Sequence, residues 1–70
     1  LNAIGYLKSL GWYCTADGFI DDEDGEPIPI FNIHNAEGKR VAYSMTEEKA
    51  WEAAISILRY RNMLPEHIKE

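Results

Sequence analysis

Ala50, Trp51, Ala54, Ile55, Ile57 and Leu58 recur at the spacing of one helical face, with Glu48, Glu52, Ser56 and Arg59 on the opposite side. This pattern predicts an amphipathic helix of about 15 residues. Such a helix must bury its apolar stripe against a second layer, so the rest of the chain has to supply one. Its start is marked by Ser44-Met45-Thr46-Glu47, which fits a capping box in which the Ser hydroxyl and the Glu carboxylate satisfy free amides. Thr46 is a competing cap. Glu47 and Glu48 complement the positive end of the helix dipole, and Arg59 and Arg61 the negative end. Pro65 is expected to stop the helix, leaving residues 1–64 as a single domain and residues 65–70 as a frayed tail.

Upstream, Leu1, Ile4, Leu7 and Leu10 recur every third residue, and Gly11 offers the left-handed position that closes many helices. A short helix over about residues 2–10 follows, with Trp12 and Tyr13 expected to fold back over its apolar side. Asp24-Gly25 between apolar runs signals a hairpin with a two-residue turn. That register pairs Phe19 with Ile30, Ile20 with Pro29 and Asp22 with Pro27, placing both prolines where a missing N–H costs the ladder nothing. A third strand can join only beyond Pro29, over residues 30–35. The next turn reads best as a three-residue loop of Ala36, Glu37 and Gly38, setting Ile33 against Val41 and Phe31 against Tyr43. One face would then carry Phe31, Ile33, Val41 and Tyr43, and the other Asn32, His34, Arg40 and Ala42. The expected fold is α+β, a two-layer sandwich in the order helix, three-stranded antiparallel sheet, helix (αβββα).

At 70 residues the chain has room for one small core, and with 46% hydrophobic residues it has enough apolar material to form it. No apolar run approaches a membrane span, no secretory leader is apparent, and the single cysteine, Cys14, cannot form an internal disulfide. A cytoplasmic protein is therefore expected. The formal net charge of −5 is unevenly distributed: residues 17–26 hold six acids and no base, and the remainder sums to +1. The acidity belongs to one segment.

Residues 43–51, Tyr-Ser-Met-Thr-Glu-Glu-Lys-Ala-Trp, resemble the end of the phage ABA sandwich domain, where a strand finishing in Tyr-Ser leads into a helix carrying Ala-Trp. Gly11-Trp12 after the first helix is similar too. The resemblance implies a phage or prophage origin and no defined activity. The element order is also similar to that of the double-stranded-RNA-binding domain, with residues 31–33, Gly38 and Ala53-Ala54 in matching places. That family grips phosphates with lysines at the start of its last helix. Here the turn reads Thr46, Glu47, Glu48, with only Lys49 basic.

The acidic segment is the leading candidate site. An EF-hand alignment on Gly25 puts Asp22 and Asp24 at ligand positions but Ile20 at the first and Phe31 at the twelfth, where carboxylates are required, so calcium is not expected. One Cys and two dispersed His show no zinc spacing, and no phosphate loop or other cofactor motif is present. His34 and Cys14 read as an exposed cross-strand histidine and a half-buried thiol, with no nucleophile, base and orienting group assembled; His67 falls in the tail. Trp12 and Trp51 read as core plugs. The expectation is a non-enzymatic acidic interaction module. Asp17, Asp21, Asp22, Glu23, Asp24 and Glu26 would bind a protein with a basic surface, such as a host nucleic-acid enzyme inhibited by a phage protein, with no direct nucleic-acid or membrane partner. The alternatives are a small structural or dimerising domain, and a divergent RNA-binding domain using Lys39, Arg40, Lys49 and Arg59.

Overall fold

In a computed structural model, residues 2–68 are described; Leu1, Lys69 and Glu70, which the sequence places on the first helix stripe and in the tail, lie outside them. The chain is α+β, with two helices and antiparallel sheets in the order α1 (Ala3–Ser9), β1 (Tyr13–Thr15), β2 (Phe19–Asp21), β3 (Pro27–Pro29), β4 (Phe31–His34), β5 (Arg40–Ser44) and α2 (Glu47–Tyr60). The three-stranded αβββα layout is corrected: five strands form two sheets, β1-β4-β5 and β2-β3. Among the described residues no helix is long and apolar enough to cross a membrane.

The first helix begins with the Asn2 side chain accepting the Gly5 amide at 2.7 Å. It ends with Gly11 at φ 98°, where the Trp12 amide bonds to the Leu7 carbonyl and the Gly11 amide to that of Lys8. These two bonds satisfy carbonyls the helix would otherwise leave open. The reversal delivers the chain directly into β1, a strand the sequence pattern does not signal. Trp12 does pack against the core, but Tyr13 belongs to β1 and is exposed on the outer sheet face.

Because β1 runs on toward β2, and β3 toward β4, the two sheets are the halves of one bent ribbon. Tyr13 to Thr15 pair with His34 to Asn32, and Phe19 to Asp21 pair with Pro29 to Pro27. Between them Ala16, Asp17 and Gly18 oppose only Ile30 and Phe31, so one extra residue is accommodated as a bulge. Gly18 takes φ 95° there, and its carbonyl accepts the Ile30 amide at 3.2 Å. The molecule is elongated, measuring 43 × 20 × 18 Å.

Both hairpin registers differ from those the sequence suggests. In the first, Phe19 pairs with Pro29, Ile20 with Ile28 and Asp21 with Pro27, around a three-residue turn of Glu23, Asp24 and Gly25. A two-residue turn of the expected type needs positive φ at Asp24 as well as Gly25, whereas the observed turn asks it of Gly25 alone, at 78°. The prolines nonetheless keep non-hydrogen-bonded positions, since Asp22-Glu26 closes the turn and the pattern alternates from there. In the second hairpin the three-residue loop forms as expected, with the Asn35 amide bonded to the Lys39 carbonyl. A bulge between Ile33 and His34 then leaves Val41 unpaired and sets Ile33 against Ala42, Asn32 against Tyr43 and Phe31 against Ser44. The expected faces are corrected accordingly: Ala42 turns inward and Tyr43 outward. The small Ala42 joins Ala50 and Ala54 in the core cluster, which lets α2 lie close to the sheet.

The core gathers Ala3 and Leu7 of α1, Ile33 and Ala42 of the sheet, and Ala50, Trp51, Ala54, Ile55 and Leu58 of α2, so the predicted stripe is buried except for Ile57, which is half-buried at its edge. Trp51, only 2% exposed, donates its indole N–H to Glu47 at 3.2 Å and lies beneath the Lys8 ammonium. Thr46, not Ser44, caps α2, accepting the Lys49 amide at 3.1 Å. The helix stops before Pro65: Asn62, at φ 55°, lets the Met63 amide reach the Leu58 carbonyl at 2.8 Å. The expected tail is packed as far as Ile68, which is buried in the core.

Candidate functional site

The six acids singled out by the sequence lie along the distal half of the ribbon, and all are exposed. Asp17 sits in the bulge, Asp21 ends β2, and Asp22, Glu23, Asp24 and Glu26 form the tip. Asp22 builds that tip. One carboxylate oxygen accepts the amides of both Asp24 and Glu26 at 2.8 Å, while the Asp22 amide bonds to the Glu26 carbonyl at 2.9 Å. A short acidic side chain that captures amides two and four residues ahead holds the turn rigid. Asp17, Asp21, Glu23, Asp24 and Glu26 are left pointing their charge to solvent. Among the described residues no group of three or more His, Cys, Asp or Glu is placed to hold a metal ion.

The base of the arm is fastened from the sheet. Asn32, 5% exposed, donates its side-chain amide to the Asp17 carbonyl at 2.7 Å and accepts from the Arg40 guanidinium at 3.2 Å. Arg40 in turn lies 4.8 Å from the centroid of the Tyr43 ring. Ile30, also buried, anchors the same point from the apolar side. Next to Asn32, His34 stacks on Tyr13 at 5.0 Å, and its Nε2 lies 2.8 Å from the Thr15 hydroxyl. Its Nδ1 faces the Gly38 carbonyl at 3.4 Å, an acceptor, so the neutral ring carries its proton on Nδ1 and receives the Thr15 hydroxyl on Nε2.

Tyr13, Thr15, Asn32, His34, Arg40 and Tyr43 thus form a connected outer face, of which the sequence pattern groups Asn32, His34 and Arg40 but not Tyr13, Thr15 or Tyr43. Thr15 stands at the distance of a nucleophile from His34, but its hydroxyl and the ring are committed to a network clasping β1 to β4. The missing signal was β1 itself: without it, neither Tyr13 nor Thr15 has a reason to approach His34.

The other candidates are dispersed. Cys14 lies half-buried on the helix-facing side, where burial, reinforced by Glu47 and opposed by Lys8, pushes its thiol above the ordinary value. A thiol held protonated is a poor nucleophile. His67 is exposed. Lys49 and Arg59 lie ten residues apart on α2, about 15 Å along its axis at 1.5 Å per residue, and Arg40 is engaged by Asn32 and Tyr43. Together with Lys39 these three cations form no continuous track among the described residues. The chain matches no known family model, no curated protein and no solved structure.

Proposed function

We propose that the chain is a non-enzymatic interaction module whose acidic hairpin docks onto a basic protein surface. One observation carries this reading: six exposed carboxylates with no base among them sit on an arm stiffened at its tip by Asp22 and pinned at its root by Asn32. Like charges repel one another on a compact body, and a pre-ordered row of them lowers the entropy cost of meeting a complementary surface. A groove that normally holds a nucleic-acid backbone presents such a surface, so a phage-borne inhibitor of a host nucleic-acid enzyme is the concrete version. The exposed ring of Phe19, 68% accessible beside the acids, adds an apolar contact that a purely protective sheet edge does not need.

The test is capture of host proteins at low salt by the tagged chain and by a variant carrying Asp21→Asn, Asp22→Asn, Glu23→Gln and Asp24→Asn. Asn at position 22 keeps the oxygen that holds the turn. A partner retained by the native chain and lost by this variant supports the reading; a partner held equally by both removes it.

A further inference from the structure

At the pole opposite the acidic tip, the β4–β5 loop and the C-terminal end of α2 enclose an open groove of about 360 Å³. This volume is in the range of ligand-sized clefts, ~300–1,000 Å³. Its lining includes three cations, Lys39, Arg40 and Arg61, and apolar side chains such as Trp12, Ile57 and Met63. Among the described residues no carboxylate lines it. Lys39 is exposed at the end of the turn that Asn35 builds, its backbone amide held by the Asn35 side chain at 3.0 Å. Arg61 is the exposed cap residue of α2, and Met63 beside it is 61% accessible.

We propose that this groove receives the acidic hairpin of a second copy of the chain. The two surfaces are complementary in charge, −6 on the arm against Lys39 and Arg61 in the groove, with Arg40, which also bonds to Asn32, beside them. They lie at opposite ends of a molecule 43 Å long, so one copy cannot satisfy itself. The contact is head-to-tail, using different surfaces on the two partners, and therefore continues to further copies or closes into a ring. The inference shares the arm with the docking role above but adds its own receptor. Self-association then competes with capture of a basic partner, because both use the same carboxylates.

Sedimentation velocity of the full chain over a range of concentrations, at about 0.02 M and about 0.5 M salt, tests it, since exposed charge pairs are screened over that range. Concentration-dependent association at low salt, reversed at high salt, is expected. The groove variant Lys39→Glu with Arg61→Glu and the tip variant Asp21→Lys with Asp24→Lys should each stay monomeric alone and associate when mixed one to one. Lys39→Glu alone leaves the helix cap untouched and should weaken association severalfold with an unchanged circular dichroism spectrum. A native chain that is monomeric at both salts overturns the proposal, as does a groove variant that associates like the native chain. A monomeric chain that shifts duplex RNA through Lys39 and Arg61 overturns it in favour of a nucleic-acid groove. If self-association fails while partner capture still depends on the tip acids, the docking arm survives without this receptor.

Discussion

The chain builds the same five-residue turn twice and puts it to opposite uses. Asp22-Glu23-Asp24-Gly25-Glu26 and Asn35-Ala36-Glu37-Gly38-Lys39 each close with one backbone bond of 2.9 Å from the first residue to the last, and each places its glycine at positive φ. In each, the first side chain captures the amides two and four residues ahead, at 2.8 Å from Asp22 and 3.0 Å from Asn35. The turn therefore depends on a short carbonyl-bearing side chain at its first position and glycine at its fourth. The remaining positions are unconstrained by geometry and can carry charge of either sign. One turn hangs beyond the core and is acidic; the other is backed by α2 and ends in Lys39 and Arg40.

That contrast makes unequal predictions for matched substitutions. Ile33, fully buried in β4, and Ile20, half-buried in β2, are the same residue in the two hairpins. Ile33→Ala should cost about 2–5 kcal/mol by the usual penalty for truncating a core isoleucine. That is a large part of a domain stability of about 0.05–0.15 kcal/mol per residue. Ile20→Ala should leave the urea midpoint nearly unchanged. Equal losses would mean that the arm folds as part of the core.

Asn32 joins the two hairpins, so its replacement comes next in size. Asn32→Leu removes the hydrogen bonds to the Asp17 carbonyl and from the Arg40 guanidinium, at a cost of about 0.5–1.5 kcal/mol for each bond lost. Amide exchange at Ile30, which bonds to Gly18 beside this pin, should accelerate with it. Unchanged exchange there would remove Asn32 from its role in orienting the arm.

Smaller again is the comparison of the turn builders. Asn35→Ala should lower global stability by about 1 kcal/mol, the scale of a lost cap, because its loop joins two core strands. Asp22→Ala should speed exchange of the Asp24 and Glu26 amides with little global effect, since the arm opens locally.

The smallest effect concerns Cys14. Its folded pKa is raised above the unfolded value of 9.0, chiefly by burial. The stability this contributes is complete below the unfolded pKa and is lost as pH rises through the folded one. Alkylation of the native thiol should accordingly begin at higher pH than that of the urea-unfolded chain. Coincident profiles would contradict the burial.

The same comparison separates what could be read in advance from what could not. The stripe of α2, the cap of α1 at Gly11 and the acidic arm are local patterns, and each appears where its residues predict. The first turn is signalled by Asp24-Gly25, which suggests a loop one residue shorter than the one observed, and the second by the three-residue loop ending in Gly38. The strand β1 was not legible, because three residues, Tyr13 to Thr15, acquire their identity only from partners 17 to 21 positions away. The bulge at Val41, which turns Ala42 into the core beneath α2, has no local signature. Asn62 ended α2 ahead of the more conspicuous Pro65 by taking a left-handed conformation that asparagine adopts and most residues avoid. Asn32 and His34 share a face by strand alternation alone, whereas the addition of Tyr13 and Thr15 to it is hidden for the same reason as β1.

The association rate of a captured partner, measured against salt for the native chain and for the four-residue amide variant, tests the docking role most directly. If the pre-ordered carboxylates steer the encounter, the native rate should fall tenfold or more between about 0.05 M and about 0.5 M salt, while the variant binds slowly with a flat profile. Equal rates and equal salt slopes for the two chains would show that the partner is recognised elsewhere and that the acidic arm is only a solvated edge.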